Sequence, residues 1–167
     1  DVGVDDTGAY LPQNEQQITK GGSPKYQPAW SPDGSKLLLV SQSTDAKNKF
    51  DIFLVDMNDL ATGPVDITNK AGNEFSPRWS PDGEWIAFVI DNREDGIKQL
   101  ARMRPDGSEM SRISVFQEEF GPAYSPDGQL LMMIQYARSF DNLNIYDLRI
   151  SGTPTPMPYD RKQIPGR

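Results

Sequence analysis

The chain has 167 residues, 36% of them apolar, a formal net charge of −7, and neither cysteine nor histidine. The acidic balance argues against nucleic acid or an anionic membrane as the main partner, since phosphate binding needs clustered Lys and Arg. Without His or Cys these residues hold no Ser-His-Asp triad, imidazole base, thiolate, disulfide framework or His-ligated zinc. Taken in order, residues 1–15 are polar and turn-rich with no period, and read as an extended N-terminal arm. The chain opens on Asp1 rather than Met, which points to a removed leader or to a piece of something longer. A short strand is expected over Gln16–Thr19, closed by Gly21 and Gly22. From there the chain repeats itself.

The string Pro28-Ala29-Trp30-Ser31-Pro32-Asp33-Gly34 returns as Pro77-Arg78-Trp79-Ser80-Pro81-Asp82-Gly83 and as Pro122-Ala123-Tyr124-Ser125-Pro126-Asp127-Gly128. Copies about 45 to 50 residues apart suit a four-stranded propeller blade. Within each copy a short strand ends on the aromatic. Ser-Pro-Asp-Gly then makes a tight turn: Pro presets φ, Asp bonds local backbone, Gly accepts positive φ. A strand covered on both faces follows, over Lys36–Ser41, Trp85–Ile90 and Leu130–Gln135. These apolar runs fall far below the roughly 20 residues of a membrane-spanning helix. A third strand is expected over Asp51–Val55, Gln99–Met103 and Asn144–Leu148. A last short strand is expected at Val65–Thr68 and Ser111–Ser114. In the third copy Gly152–Met157 takes that place with two prolines, which only an edge strand tolerates. The fold expected is all-β: three four-stranded antiparallel blades over residues 16–157, forming a partial ring or half of a six-bladed propeller. Residues 158–167 read as a Pro-containing basic tail, with Pro158 and Pro165 beside Arg161, Lys162 and Arg167.

The repeated Trp-Ser-Pro-Asp-Gly string, the apolar strand after it and the segment Asp51-Ile52-Phe53-Leu54-Val55-Asp56 resemble the WD-like propeller repeats of TolB-type proteins. The resemblance covers about Gln16 to Met157. It implies a periplasmic or otherwise extracytoplasmic bacterial protein, serving as a docking platform or as the non-catalytic propeller of a serine peptidase. The second copy departs from the pattern by placing Gln99 and Arg102 where the first has Ile52 and Val55. The third has Tyr124 in place of Trp.

The aromatics Trp30, Trp79 and Tyr124, with the turn pairs Asp33-Gly34, Asp82-Gly83 and Asp127-Gly128, read as structural anchors that fill the wedges between blades. One carboxylate per turn is too few for a calcium loop, and no metal or cofactor is expected. A three-blade arc leaves apolar ends, because repeats of this kind are stable only when stacked. The ends would be covered by the rest of a larger ring, by other protein subunits, or by a second copy. Loops between blades, at residues 21–25, 71–75 and 116–120, would carry a binding surface for a protein partner. Its candidates are Lys25, Tyr26, Glu74, Phe75, Arg78, Phe116, Glu118, Glu119 and Phe120, mixing aromatics and charge as interfaces do. The function expected is a non-enzymatic subunit that scaffolds or stabilises a larger assembly. The alternative is a hydrolase propeller: a peptidase gating domain, or a carboxylate-based glycan-active enzyme using two of Glu74, Asp91, Asp95, Glu118 and Glu119.

Overall fold

The computed structural model describes residues 3–4, 10–11, 17–20, 23–43, 49–68, 72–92, 97–113, 119–136, 141–149 and 156–157. Three four-stranded sheets follow one another in sequence. The first holds β3 (Lys25–Trp30), β4 (Lys36–Gln42), β5 (Phe50–Asp56) and β6 (Val65–Asp66). The second holds β7 (Asn73–Trp79), β8 (Ile86–Asn92), β9 (Ile97–Met103) and β10 (Ser111–Arg112). The third holds β11 (Glu119–Tyr124), β12 (Leu130–Tyr136), β13 (Asp141–Asp147) and β14 (Pro156–Met157). Each strand pairs antiparallel with the next, so every sheet is a simple meander. Pro156 lies opposite Tyr146 on the outermost strand of the third sheet, where a missing N–H breaks no ladder.

Within the segment expected to be an extended arm, β1 (Gly3–Val4) pairs antiparallel with β2 (Tyr10–Leu11). The strand expected at Gln16–Thr19 does not form over residues 17–20. The equivalent strands β6 and β10 each pair with the third strand of the preceding repeat. Among the described residues there is no third strand of an earlier repeat beside residues 17–20, and Ile18 packs instead on Leu37, Leu39, Phe53 and Val55.

The turn after each inner strand carries the chemistry that its sequence implies. In the second blade Gly83 N–H donates to Ser80 O at 2.9 Å, with Gly83 at φ 73°. Asp82 Oδ1 accepts from Glu84 N–H at 2.9 Å, and Ser80 Oγ accepts from Trp85 N–H at 2.9 Å. The same turn bond joins Gly34 to Ser31 and Gly128 to Ser125. In the first blade, hydrogen bonds from Ser31 and Ser35 hold the Asp33 carboxyl down to about 2.

The second strands alternate between two seams. Ile86, Phe88 and Ile90 of β8 meet Leu38, Val40 and Ile52 of the first blade. Ala87 faces the other way, with Leu100, Leu131, Met133 and Tyr146. Burying such faces at about 25 cal/mol per Å² is what holds one blade to the next. The ladder also corrects the alignment of the repeats by one residue. Trp30 pairs Leu37, which pairs Val55; Trp79 pairs Ile86, which pairs Met103. Arg102 therefore corresponds to Leu54, and Gln99 to Asp51. The polar positions reflect this register: Arg102 lies 4.3 Å over the Trp85 ring.

The anchors are unequal. Trp79 is half-buried in the first seam and its Nε1–H donates to Ala29 O at 3.1 Å. Tyr124 packs in the second seam. Trp30 is 55% exposed, contrary to its expected role, because no blade among the described residues packs against its side of the first sheet.

Candidate functional site

The innermost strands β3, β7 and β11 carry most of the residues expected to bind. The sequence pattern places Lys25, Tyr26, Glu74, Phe75, Glu119 and Phe120 in or beside loops, yet they lie on these strands. The Pro of each inner strand, with the residue before it, sits at a bulge inside the strand. The register slips between Tyr26 and Ala29, between Phe75 and Arg78, and between Phe120 and Ala123. A bulge is one of the few places where a strand accepts proline. Phe116 and Glu118 lie outside the described residues, as do the side chains of Glu119 and Phe120 and the whole of Asp95.

Two of the expected residues are joined through a row of aromatics. Tyr26 is 49% exposed and meets the Phe50 ring edge-on at 6.1 Å. Phe50 in turn lies 5.7 Å from Phe75. The row runs from the open face of the first blade into the first seam. Lys25 Nζ donates to Ser23 O at 2.6 Å, a local contact. Arg78 is exposed, and its Nη1–H donates to Pro77 O at 2.8 Å.

Glu74 is no surface residue: it is 2% exposed. It faces Asp51, which is fully buried and lies 3.0 Å from Lys49 Nζ. Thr68 Oγ1 accepts from Ile52 N–H at 2.8 Å, and Asn73 Oδ1 accepts from Phe50 N–H at 2.9 Å. Apart from the Lys49 ammonium, no donor among the described residues reaches the Asp51 oxygens or Glu74 Oε2 in hydrogen-bond geometry. Two buried carboxyls and one ammonium leave one charge uncompensated unless a proton is held between them. Burial, then the hydrogen bond and charge of Asp51, push the Glu74 carboxyl up to about 8, against the pull of Lys49 and Thr68. Glu74 is thus protonated at neutral pH and supplies the donor that Asp51 lacks. The sequence offers one clue to Asp51: its position is polar in every repeat, as Asp51, Gln99 and Asn142. Its pairing with a residue of the next blade is not legible there.

A sealed carboxyl pair cannot meet a substrate. Among the described carboxylates proposed for hydrolysis, Asp91 is half-buried across the ladder from Asn73 and does not join Glu74. Two of the open grooves among the described residues lie elsewhere. One, of about 700 Å³, is lined by Lys36, Glu84, Arg104, Pro105, Asp106 and Glu109. Arg104 within it is already taken by Glu84 Oε2 at 3.0 Å, Glu109 Oε1 at 3.5 Å and the Trp85 ring at 4.0 Å. The other, of about 380 Å³, lies on the leading face of the first blade, lined by Ile18, Tyr26, Pro28, Leu37 and Leu39 among others.

Consecutive four-stranded meanders, packed through their inner strands and anchored by a repeated aromatic, define a β-propeller segment. The chain belongs to the TolB beta propeller domain family, which it matches over residues 11–155. Among solved structures it is similar to a protein assigned as TolB from Agrobacterium tumefaciens, with 26% identity and a TM-score of 0.68. That match covers 83% of this chain and 50% of the other. TolB from Acinetobacter baumannii is 22% identical at a TM-score of 0.65, over 93% of this chain and 36% of that one. The β-propeller domain of the Trilobed protease from Pyrococcus furiosus shares the fold at 18% identity and a TM-score of 0.63, over 83% and 43%. The chain thus spans half or less of the length of these proteins. No curated protein matches it. Among the described residues no helix is long and apolar enough to cross a membrane.

Proposed function

We propose that this chain is a non-catalytic propeller segment, outside the cytoplasm, whose leading face is covered by a further blade within a larger protein assembly. The observation that carries the reading is the contrast between two equivalent residues. Trp79 is packed and its Nε1–H finds Ala29 O, while Trp30 stands 55% exposed. The groove beside Tyr26 and Leu37 lies on the same face. A covering blade would bury Trp30 and offer its indole N–H a backbone carbonyl, as the first blade does for Trp79. The likeness to TolB and its partial coverage support this reading. The sealing of Glu74 supports a role without catalysis.

The test places a photo-cross-linking side chain at position 30 in the protein within its producing cell and maps adducts by mass spectrometry. Adducts to a propeller blade, in the same polypeptide or in a second copy, are expected. Adducts confined to unrelated chains, or none, would overturn the proposal. A hydrolase activity lost on changing Glu74 or Asp91 to its amide would overturn its non-catalytic part.

A further inference from the structure

We propose that the bulge of the third inner strand is a receptor for a carbonyl-type oxygen, carboxamide or carboxylate, carried by a side chain of a partner polypeptide. The donor is the N–H of Gly121. The inference goes beyond the covering blade proposed above and rests on the residues expected to bind a partner lying on the inner strands.

All three inner strands share one construction. Gln27, Ser76 and Gly121 open the bulges with φ of 51°, 55° and 60°. Each is followed by proline, Pro28, Pro77 or Pro122. Proline has no N–H, so the left-handed residue holds the only backbone donor within the two-residue bulge. In the second blade that donor is occupied: Ser76 N–H donates to Gln27 Oε1 at 2.6 Å. The acceptor reaches across from the equivalent bulge of the preceding blade. Gln27 therefore shows which chemistry fits the position.

The third blade sits on the second as the second sits on the first. A Cβ built on Gly83 would lie 3.8 Å from Pro32 Cδ, and one built on Gly128 would lie 3.6 Å from Pro81 Cδ. The residue placed to serve Gly121 as Gln27 serves Ser76 is thus Ser76 itself. A serine hydroxyl stops two bonds short of a glutamine carbonyl, and no side chain among the described residues bonds Gly121 N–H. Gly121 is exposed, and a Cβ there would meet nothing within 4 Å. Arg78, two residues past Ser76, keeps its guanidinium on Pro77 O and so does not fill the position either. An oxygen from outside has room and a donor.

The experiment follows backbone amides by ¹⁵N–¹H NMR while acetamide, and separately acetate, is titrated into the protein to molar concentration. The Gly121 amide should move downfield and saturate, and the Ser76 amide should not. In Ser76→Gln the new side chain should fill the position. Its backbone already suits glutamine, since Gln27 adopts nearly the same φ. Gly121 should then be shifted before any addition and should no longer respond. In Gln27→Ala the Ser76 amide should become responsive. A Gly121 amide that is unmoved by both probes, or that titrates alike in Ser76→Gln and the parent, overturns the inference. These amides report on the bulge whatever the cross-linking at position 30 finds, so the two failures are distinguishable.

Discussion

Replacing Glu74 by Gln should remove a pH dependence of stability that the parent protein carries through neutrality. In the folded chain the Glu74 carboxyl keeps its proton up to about 8, against an ordinary value of 4.5. Between those two values the unfolded chain has released the proton and the folded chain has not. Stability therefore falls as pH rises, by about 1.4 kcal/mol per pH unit at the steepest. It is fully present below the ordinary value, and no further loss comes from this group above the folded one. Over the window the loss is on the order of 5 kcal/mol as an upper bound, comparable to the whole stability of many domains. A glutamine in this place would offer Asp51 an amide N–H instead of the acid O–H, and it does not titrate. Urea unfolding at fixed ionic strength from about pH 5 to about pH 8.5 brackets the window and measures the difference. The parent midpoint should fall with pH and the variant midpoint should stay nearly level, crossing above the parent on the alkaline side. The chain has no histidine, so no other side chain ordinarily titrates in this window. A level parent curve, or an equal slope in Glu74→Gln, would refute the shared proton.

Tyr124 takes the Trp79 position with a longer polar tip, and its hydroxyl is buried without a partner among the described residues. Burial holds its ionisation well above the ordinary phenol range. Tyr124→Phe should leave the urea midpoint unchanged or raise stability by up to ~1 kcal/mol; a loss beyond that would show that the hydroxyl has found a donor or acceptor. Trp79→Phe should cost about 1–3 kcal/mol, from the lost bond to Ala29 O and the lost volume in the seam. In the chain studied alone, Trp30→Phe should change stability by no more than ~0.5 kcal/mol, and equal costs at the two positions would contradict the unequal packing.

The blades are legible because each repeat carries its own local instructions. Ser-Pro-Asp-Gly sets a turn whoever the neighbours are, and an apolar run of strand length needs cover on both faces. The strand ends and the edge proline Pro156 follow from the same local rules. What crosses a seam is illegible. Glu74 reads as a surface charge because its partner Asp51 lies in another blade, and only their common burial creates the shared proton. The bulges at Gln27-Pro28, Ser76-Pro77 and Gly121-Pro122 are hidden because a register slip is defined only against the partner strand. The one-residue misalignment of Gln99 and Arg102 arises because the loops before the third strands differ in length and carry no repeated string to fix their phase; the ladder fixes it, with Val55 opposite Leu37 and Met103 opposite Ile86.

Trp30 and Trp79 separate what a repeat encodes from what its neighbour supplies. Both follow the same bulge and precede the same turn, and both belong to strands paired in the same register. One is anchored and the other is 55% exposed. A buried tryptophan removes on the order of 200 Å² from water, so the exposed share of Trp30 withholds about 3 kcal/mol of stabilisation at about 25 cal/mol per Å². Ile18 covers Leu37 and Leu39 from the same side and leaves Trp30 uncovered. A segment that was complete in itself would gain by replacing Trp30 with a polar residue; keeping the anchor residue of a seam there is consistent with a blade arriving to fill it. Burial of position 30 in the assembled protein is therefore the quantity on which the reading of this chain as part of a larger propeller depends.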